Sequence, residues 1–187
     1  FQYSKTASME QKLNLGCGSD IKKGWVNLDI SSLEGVDIVH DINELPLPFK
    51  DEQFDYILCQ DILEHIEYIP LLQDLHRIMK KGGILDIRVP HFTSRFNFMD
   101  PTHKKRFSIQ TFDFFTKTAP FGRGYYFDFH FEKVIYKRII FSKGGLFFGN
   151  YILEPIINAG DRMRNFYEAS FLSRQFPCGN IRVKLQK

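Results

Sequence analysis

The sequence predicts an α/β fold, a doubly wound and mostly parallel sheet, and three observations carry that expectation. The apolar run Leu13-Asn14-Leu15 ends in Gly16-Cys17-Gly18, which reads as a buried strand entering a tight turn. A second run, Trp25-Val26-Asn27-Leu28, closes on Asp29, an acid at the tip of the next strand. Beyond them, further apolar runs flank a stretch of helical periodicity, the β-α order of a parallel sheet. Such a sheet binds nucleosides at the carboxyl ends of its strands. Glycine lets the backbone approach a ligand closely, and a carboxylate accepts hydrogen bonds from ribose hydroxyls.

The spacing separates the nucleotide classes. A dinucleotide site has a third glycine where this chain has Ile21, and an acid about 20 residues on, whereas Asp29 comes sooner. No Lys-Ser or Lys-Thr follows the glycines, which argues against a phosphate-cradling P-loop.

Leu13 to Gly18 with Asp29 resembles the class I, Rossmann-like, S-adenosylmethionine-dependent methyltransferases, of the type 11 kind. Asp41-Ile42-Asn43-Glu44-Leu45-Pro46 through Phe49 resembles their segment after the third strand, and Phe54 to Gln60 their fourth strand. Leu63-Glu64-His65-Ile66 is similar to the turn beyond it, and Arg77 to Gly83 to the motif before the fifth strand, with Lys81 where proline is usual. Four motifs in order cover roughly the first half of the chain. The resemblance implies a seven-stranded sheet of order 3-2-1-4-5-7-6 and S-adenosyl-L-methionine as cofactor. It implies a cofactor site at Leu15, Gly16, Cys17, Gly18, Asp29, Ile30, Asp41, Ile42, Gln60 and Asp61, with Asp41 near the adenine amino group and Ile42 against the ring. Asp41 as the cap of its own loop is the plainer alternative.

Taken in order, strand one starts at Gln11, and only Cys17 to Gly24 separate it from strand two. A parallel crossover usually takes about 10–12 residues or more, so the first helix of the family is expected to shrink to about a turn. That weakens any helix-dipole hold on the methionine carboxylate. Val36 to Val39 reads as strand three and Phe54 to Cys59 as strand four, followed by a short turn with Asp61, Glu64 and His65. Pro70 suits the first position of a helix whose Leu71, Leu72, Leu75, Ile78 and Met79 recur at helical spacing. Lys80 and Lys81 suit its negative end and Gly82 its stop. Strand five is expected over Ile84 to Val89.

From Phe92 to Tyr126 aromatics interleave with Arg95, His103, Lys104, Lys105, Arg106 and Arg123, with one short helix expected at Ser108 to Phe115. Placed after strand five, this aromatic-rich insert is expected to be a lid over the acceptor pocket; packing of its own aromatics is the plainer reading. Val134 to Phe141 is expected as strand six. Helical segments interrupted at Pro155 and Gly160 follow, then an antiparallel strand seven at Ile181 to Leu185. The expected organisation is one methyltransferase domain over 1–187: a cofactor half at 9–91, the lid at 92–126, and C-terminal strands and helices at 127–187. Phe1 opens the chain and Met9 stands just before the first strand, so residues 1–8 are either foreign to the natural chain or the stub of a longer segment.

A formal charge of +3 implies neither nucleic acid nor membrane, and no apolar run reaches the ~20 residues of a membrane span. Three scattered cysteines fit a reducing, cytoplasmic setting; Cys17 reads as a small residue chosen for fit.

Methyl transfer is a displacement at carbon, and a base is needed when the acceptor must lose a proton. His65, His91 and His103 are the catalytic candidates, converging on one sheet edge, with Asp61 and Glu64 to orient them or cap the turn. A metal set of His91, Asp100, His103 and His130 matches no tight ligand spacing, so no metal is expected. Lys104-Lys105-Arg106 beside the pocket would suit an anionic acceptor. The leading reading is a methyltransferase for a small molecule or sugar/glycan precursor. The alternatives are an RNA-binding or RNA-modifying protein and a non-catalytic cofactor-binding member. In the last case Leu146-Phe147-Phe148 and Tyr151-Ile152-Leu153 would form a homodimer or membrane-surface face, with core packing as the plainer account.

Overall fold

A computed structural model describes residues 10–144 and 147–187. Seven strands form one sheet of order β3-β2-β1-β4-β5-β7-β6. They are β1 (Lys12–Leu15), β2 (Val26–Asp29), β3 (Ile38–Val39), β4 (Phe54–Gln60), β5 (Met79–Pro90), β6 (Lys133–Ile140) and β7 (Asn180–Gln186). The first five pair in parallel, and β7 runs antiparallel between β5 and β6. The expected order and the inserted strand are both present. β3 is two residues long, half the expected run.

The first crossover contains no helix at all. Two buried asparagines, paired across β1 and β2, hold it instead. Asn14 Nδ2 donates to the Asp20 carbonyl (2.8 Å) and to Asn27 Oδ1 (3.1 Å). Asn27 Oδ1 also accepts the Lys22 N–H (2.8 Å), and its Nδ2 donates to the Lys22 carbonyl (3.1 Å). The loop's backbone groups thus find side-chain partners where a helix would have satisfied its own.

Helix α1 (Tyr68–Ile78) buries Leu71, Leu72, Leu75 and Ile78 on one face, as the spacing predicts, with Pro70 in its first turn rather than at its first position. It ends at Ile78, four residues before Gly82. The reason lies in the loop before β4: Glu52 and Gln53 donate their N–H groups to the carbonyls of Arg77 (3.1 Å) and Ile78 (2.8 Å). With those carbonyls satisfied, the chain leaves the helix directly into β5, and Met79 pairs with Phe54. Residues 80–83 make a bulge, because the next pairing is Tyr56 with Ile84. Gly82, expected to stop the helix, supplies the positive φ (78°) of that bulge, and Lys80, expected to be solvated, pairs with Asp55 (2.7 Å).

After β5 the chain forms α2 (Phe96–Met99) and 3-10 helices at Thr111–Phe115 and Pro120–Tyr126. Phe107, Phe112 and Phe115 are buried in the core, while Phe98, Phe121 and Tyr125 face out. The expected helix at Ser108 to Phe115 is therefore shorter and tighter. Helices α3 (Asn150–Ile157), α4 (Asp161–Ala169) and α5 (Leu172–Gln175) precede β7. Pro155 sits inside α3 rather than interrupting it. Phe148, Tyr151 and Ile152 are exposed, so core packing does not explain them; Gly145 and Leu146 lie outside the described residues, as do residues 1–9. Among the described residues no helix is long and apolar enough to cross a membrane.

Candidate active site

The carboxyl ends of β1, β2 and β4 open onto three adjoining cavities. The first, about 290 Å³, is walled by Gly16, Asp29, Ile30, Asp41 and Ile42. The second, about 280 Å³, is walled by Leu15, Gly16, Cys17, Gly18, Gln60 and Arg88. The third, about 610 Å³, lies under α2 between Glu64, His65, Phe96, Met99 and His103. Asp61 lines all three, and Gly16 joins the first two. Every residue expected at the cofactor site therefore borders one of the two smaller cavities.

The glycine turn works through its backbone. Gly16 has φ +60°, and a Cβ there would lie 2.4 Å from Ile62 Cδ1, so only glycine keeps this path. Gly18 donates its N–H to Asp29 Oδ2 (2.8 Å), and Ser31 donates its own to Asp29 Oδ1 (2.9 Å). The carboxylate is thereby aimed, with lone pairs left for a ligand's hydroxyls. Asp41 Oδ1 accepts the Asn43 N–H (2.9 Å) and its amide (2.8 Å), bonds that hold its carboxyl below the ordinary range. It caps its loop and lines the first cavity at once. Cys17 is buried, and burial with the nearby Asp29 raises its thiol pKa; it is a fitted residue rather than a nucleophile.

Asp61 holds a positive φ of 54°, uncommon for a non-glycine residue. Its N–H donates to the Arg88 carbonyl on the neighbouring strand (2.8 Å), and its carboxylate pairs with the Arg88 guanidinium. Arg88 does not stand out in the sequence; its one signal is a cation two residues from the end of β5. This pair puts a fixed cation and a fixed anion beside the glycine turn, where the missing helix dipole would have acted.

The larger cavity gathers two of the three candidate histidines. Thr102 Oγ1 donates to Asp100 Oδ1 (2.6 Å), so it accepts from His65 Nδ1 at 2.7 Å. That leaves His65 Nε2 with its lone pair. The His65 and His103 rings meet edge to face with centroids 4.5 Å apart. His103 Nδ1 is buried with no hydrogen-bond partner. Glu64 is fully buried, and neither of its carboxylate oxygens has a partner; burial, with a smaller push from Asp61 and Asp100, raises its carboxyl to about 7. Its carbonyl accepts the N–H groups of Lys104 (2.7 Å) and Lys105 (3.1 Å), tying the insert to the turn after β4.

His91 does not join them. It is fully buried, accepts the Thr93 N–H at Nδ1 (3.2 Å) and donates from Nε2 to Glu168 (3.0 Å). This histidine locks the mouth of β5 to α4. His130 bonds to the Gly124 carbonyl (2.6 Å). Of the Lys104-Lys105-Arg106 cluster, Lys105 pairs with Glu67 (2.5 Å) and Arg106 lies over the Phe98 ring; none of the three borders the larger cavity.

Residues 6–87 match the family model described as a methyltransferase domain. A solved S-adenosylmethionine-dependent methyltransferase from Archaeoglobus fulgidus superposes with a TM-score of 0.59 at 19% identity, covering 95% of this chain and 86% of that one. The [4+2]-cyclase SpnF superposes at 0.54 with 14% identity, over 95% and 74% of the two chains. Demethylmenaquinone methyltransferase of Geobacillus stearothermophilus is 34% identical over 65 residues, 34% of this chain and 27% of that one. The matches to the first curated relatives span about a quarter of those relatives' length. The fold is the one shared with these solved structures, and residues 6–87 carry the pattern of a methyltransferase domain.

Proposed function

We propose that this chain is an enzyme that transfers a methyl group from S-adenosylmethionine to a small molecule or a glycan precursor. The meeting of three cavities at Asp61 carries the reading: a nucleoside cavity, a polar cavity for the amino-acid end, and a larger one for the acceptor. Asp29 would take the ribose hydroxyls, Ile30 and Ile42 the adenine faces, and the Asp61–Arg88 pair the charged amino-acid end. When bound, the cofactor supplies a methyl group on a sulfonium leaving group. The chain's own work is alignment and exclusion of water, for which Phe96 and Met99 wall the acceptor side while His65 and His103 face it. His91 has no part at the acceptor. Residues 1–187 would act as one domain, and three unpaired, buried cysteines fit a cytoplasmic setting.

Calorimetric titration with S-adenosylmethionine and S-adenosylhomocysteine tests the cofactor step. Arg88→Gln should weaken both by about 1–2 kcal/mol, the size of a charge-assisted hydrogen bond. No binding to the unaltered chain would overturn the reading.

A single-stranded nucleic-acid acceptor is the second reading, favoured by one observation. Phe98, Phe121 and Tyr126 are exposed on the insert, each with an arginine over its ring, the stacking chemistry that single strands use. Filter binding to single-stranded RNA with a steep salt dependence would favour it; binding absent at low salt would remove it.

A further inference from the structure

We infer that Glu64, His65 and His103 form a binding site for a first-row transition cation of the zinc class, set in the wall of the acceptor cavity. The inference rests on the proposed methyl transfer for its purpose, though not for its chemistry. One donor atom from each of the three residues lies within 4.8 Å of the others. Donors on a single tetrahedral ion stand about 3.4 Å apart, given ligand distances of about 2.1 Å. Closing the site therefore asks for at most about 1.4 Å of approach between side chains.

The state of these groups is what points to a cation. A carboxylate buried without a partner is costly, and native proteins pair such groups or give them a metal. Both oxygens of Glu64 and the Nδ1 of His103 are buried without partners. His65 is presented as a ligand should be: Asp100 holds Thr102, Thr102 holds Nδ1, and Nε2 is left with its lone pair. An outer carboxylate that fixes the ring's tautomer through its other nitrogen is the usual support of a metal-bound histidine. Two imidazoles and one carboxylate select borderline transition cations over magnesium or calcium, which take oxygen.

Three protein ligands leave a position open, as in catalytic rather than structural sites. All three residues line the 610 Å³ cavity, so that an acceptor there would reach the ion. An acceptor hydroxyl held there would release its proton to water, its oxygen would bond to the methyl carbon, and the carbon–sulfur bond would break to leave the thioether. The cation would also fasten the lid, since His103 and Thr102 belong to the insert and Glu64 to the turn after β4.

The test uses the whole chain, stripped with chelator and titrated with Co²⁺ and Zn²⁺ by calorimetry and visible absorption. One equivalent of Co²⁺ should bind with a d–d spectrum of low coordination number, displaced by Zn²⁺. Glu64→Gln and His103→Ala should each weaken binding at least about tenfold, the size seen for the loss of even an outer partner. His130→Gln should leave binding unchanged. S-adenosylhomocysteine, titrated in parallel, should bind the stripped wild type and both site variants alike. Its failure alone would sink the methyltransferase reading and leave the metal site standing. Should either variant misfold, the paramagnetic shifts of the His65 and His103 ring protons in the Co²⁺-loaded wild type report the ligands directly. A wild type that binds no stoichiometric Co²⁺, binding indifferent to both variants, or unshifted His65 and His103 resonances would overturn the inference.

Discussion

Asp86 and Glu64 are both fully buried carboxylates, and the fold treats them in opposite ways. Asp86, in the middle of β5, accepts from Arg182 Nε (2.8 Å) and Nη2 (2.6 Å), from the Tyr56 hydroxyl, and lies 3.3 Å from Lys184 Nζ. Burial pushes its carboxyl up, yet the bonds from Arg182 and Tyr56 more than offset that and hold it low. Glu64 has the same burial and none of the partners. A buried charge with partners on both oxygens is architecture; one left unanswered beside two histidines and a cavity marks a place kept for a ligand.

The sharpest way to test the contrast is to remove Asp86. Asp86→Ala should cost about 3 kcal/mol of unfolding free energy in denaturant melts, at the low end for a broken buried pair because Arg182 and Lys184 reach solvent. The pH dependence has a definite sign. Asp86 is depressed in the folded state, so its contribution is complete above the ordinary carboxylate range near pH 4 and is lost as pH falls through its lower folded value. Acid titration of stability should be shallower in Asp86→Asn than in the wild type; identical slopes would show that the network is not holding the charge.

Next in size is Asp29, a carboxylate intermediate between the two. It keeps one backbone N–H on each oxygen and has lone pairs to spare. Asp29→Ala should weaken S-adenosylhomocysteine binding by on the order of 2–3 kcal/mol, read by calorimetry. Gly16→Ala should follow, with about 1–2 kcal/mol lost in thermal stability from the left-handed backbone and weaker cofactor binding from the displaced Ile62. The smallest effect is the most discriminating. Glu64→Gln should change the stability of the metal-free chain by less than about 1 kcal/mol, or raise it, because no partner is lost and a buried charge disappears. A cost as large as that of Asp86→Ala would mean that Glu64 is structural.

Much of the first half of the chain was legible in the sequence. The strand at Leu13 to Leu15, the turn at Gly16 to Gly18 and the acid at Asp29 lie where short-range rules put them, since a strand, a turn and the acid at a strand tip are local features, whereas Asp41 and Ile42 were singled out only through the resemblance. The boundaries that slipped were decided at long range. Gly82 was read as a helix stop, but the N–H groups of Glu52 and Gln53 ended the helix earlier. Asn14 and Asn27 give no sign of their pairing in the two apolar runs; β1 and β2 set them face to face.

The sequence by itself determined where the strands fall along the chain, the glycine bend and the acid that follows it, because hydrophobic period and turn chemistry are written residue by residue; the order of the strands in the sheet came only through the resemblance. Only the tertiary structure decided which histidines share a cavity. His65, His91 and His103 are equal as letters. Folding turns His91 toward Glu168 on a distant helix and brings His103 across the insert to His65 and Glu64. Such meetings depend on loop closure and burial, which no local pattern encodes.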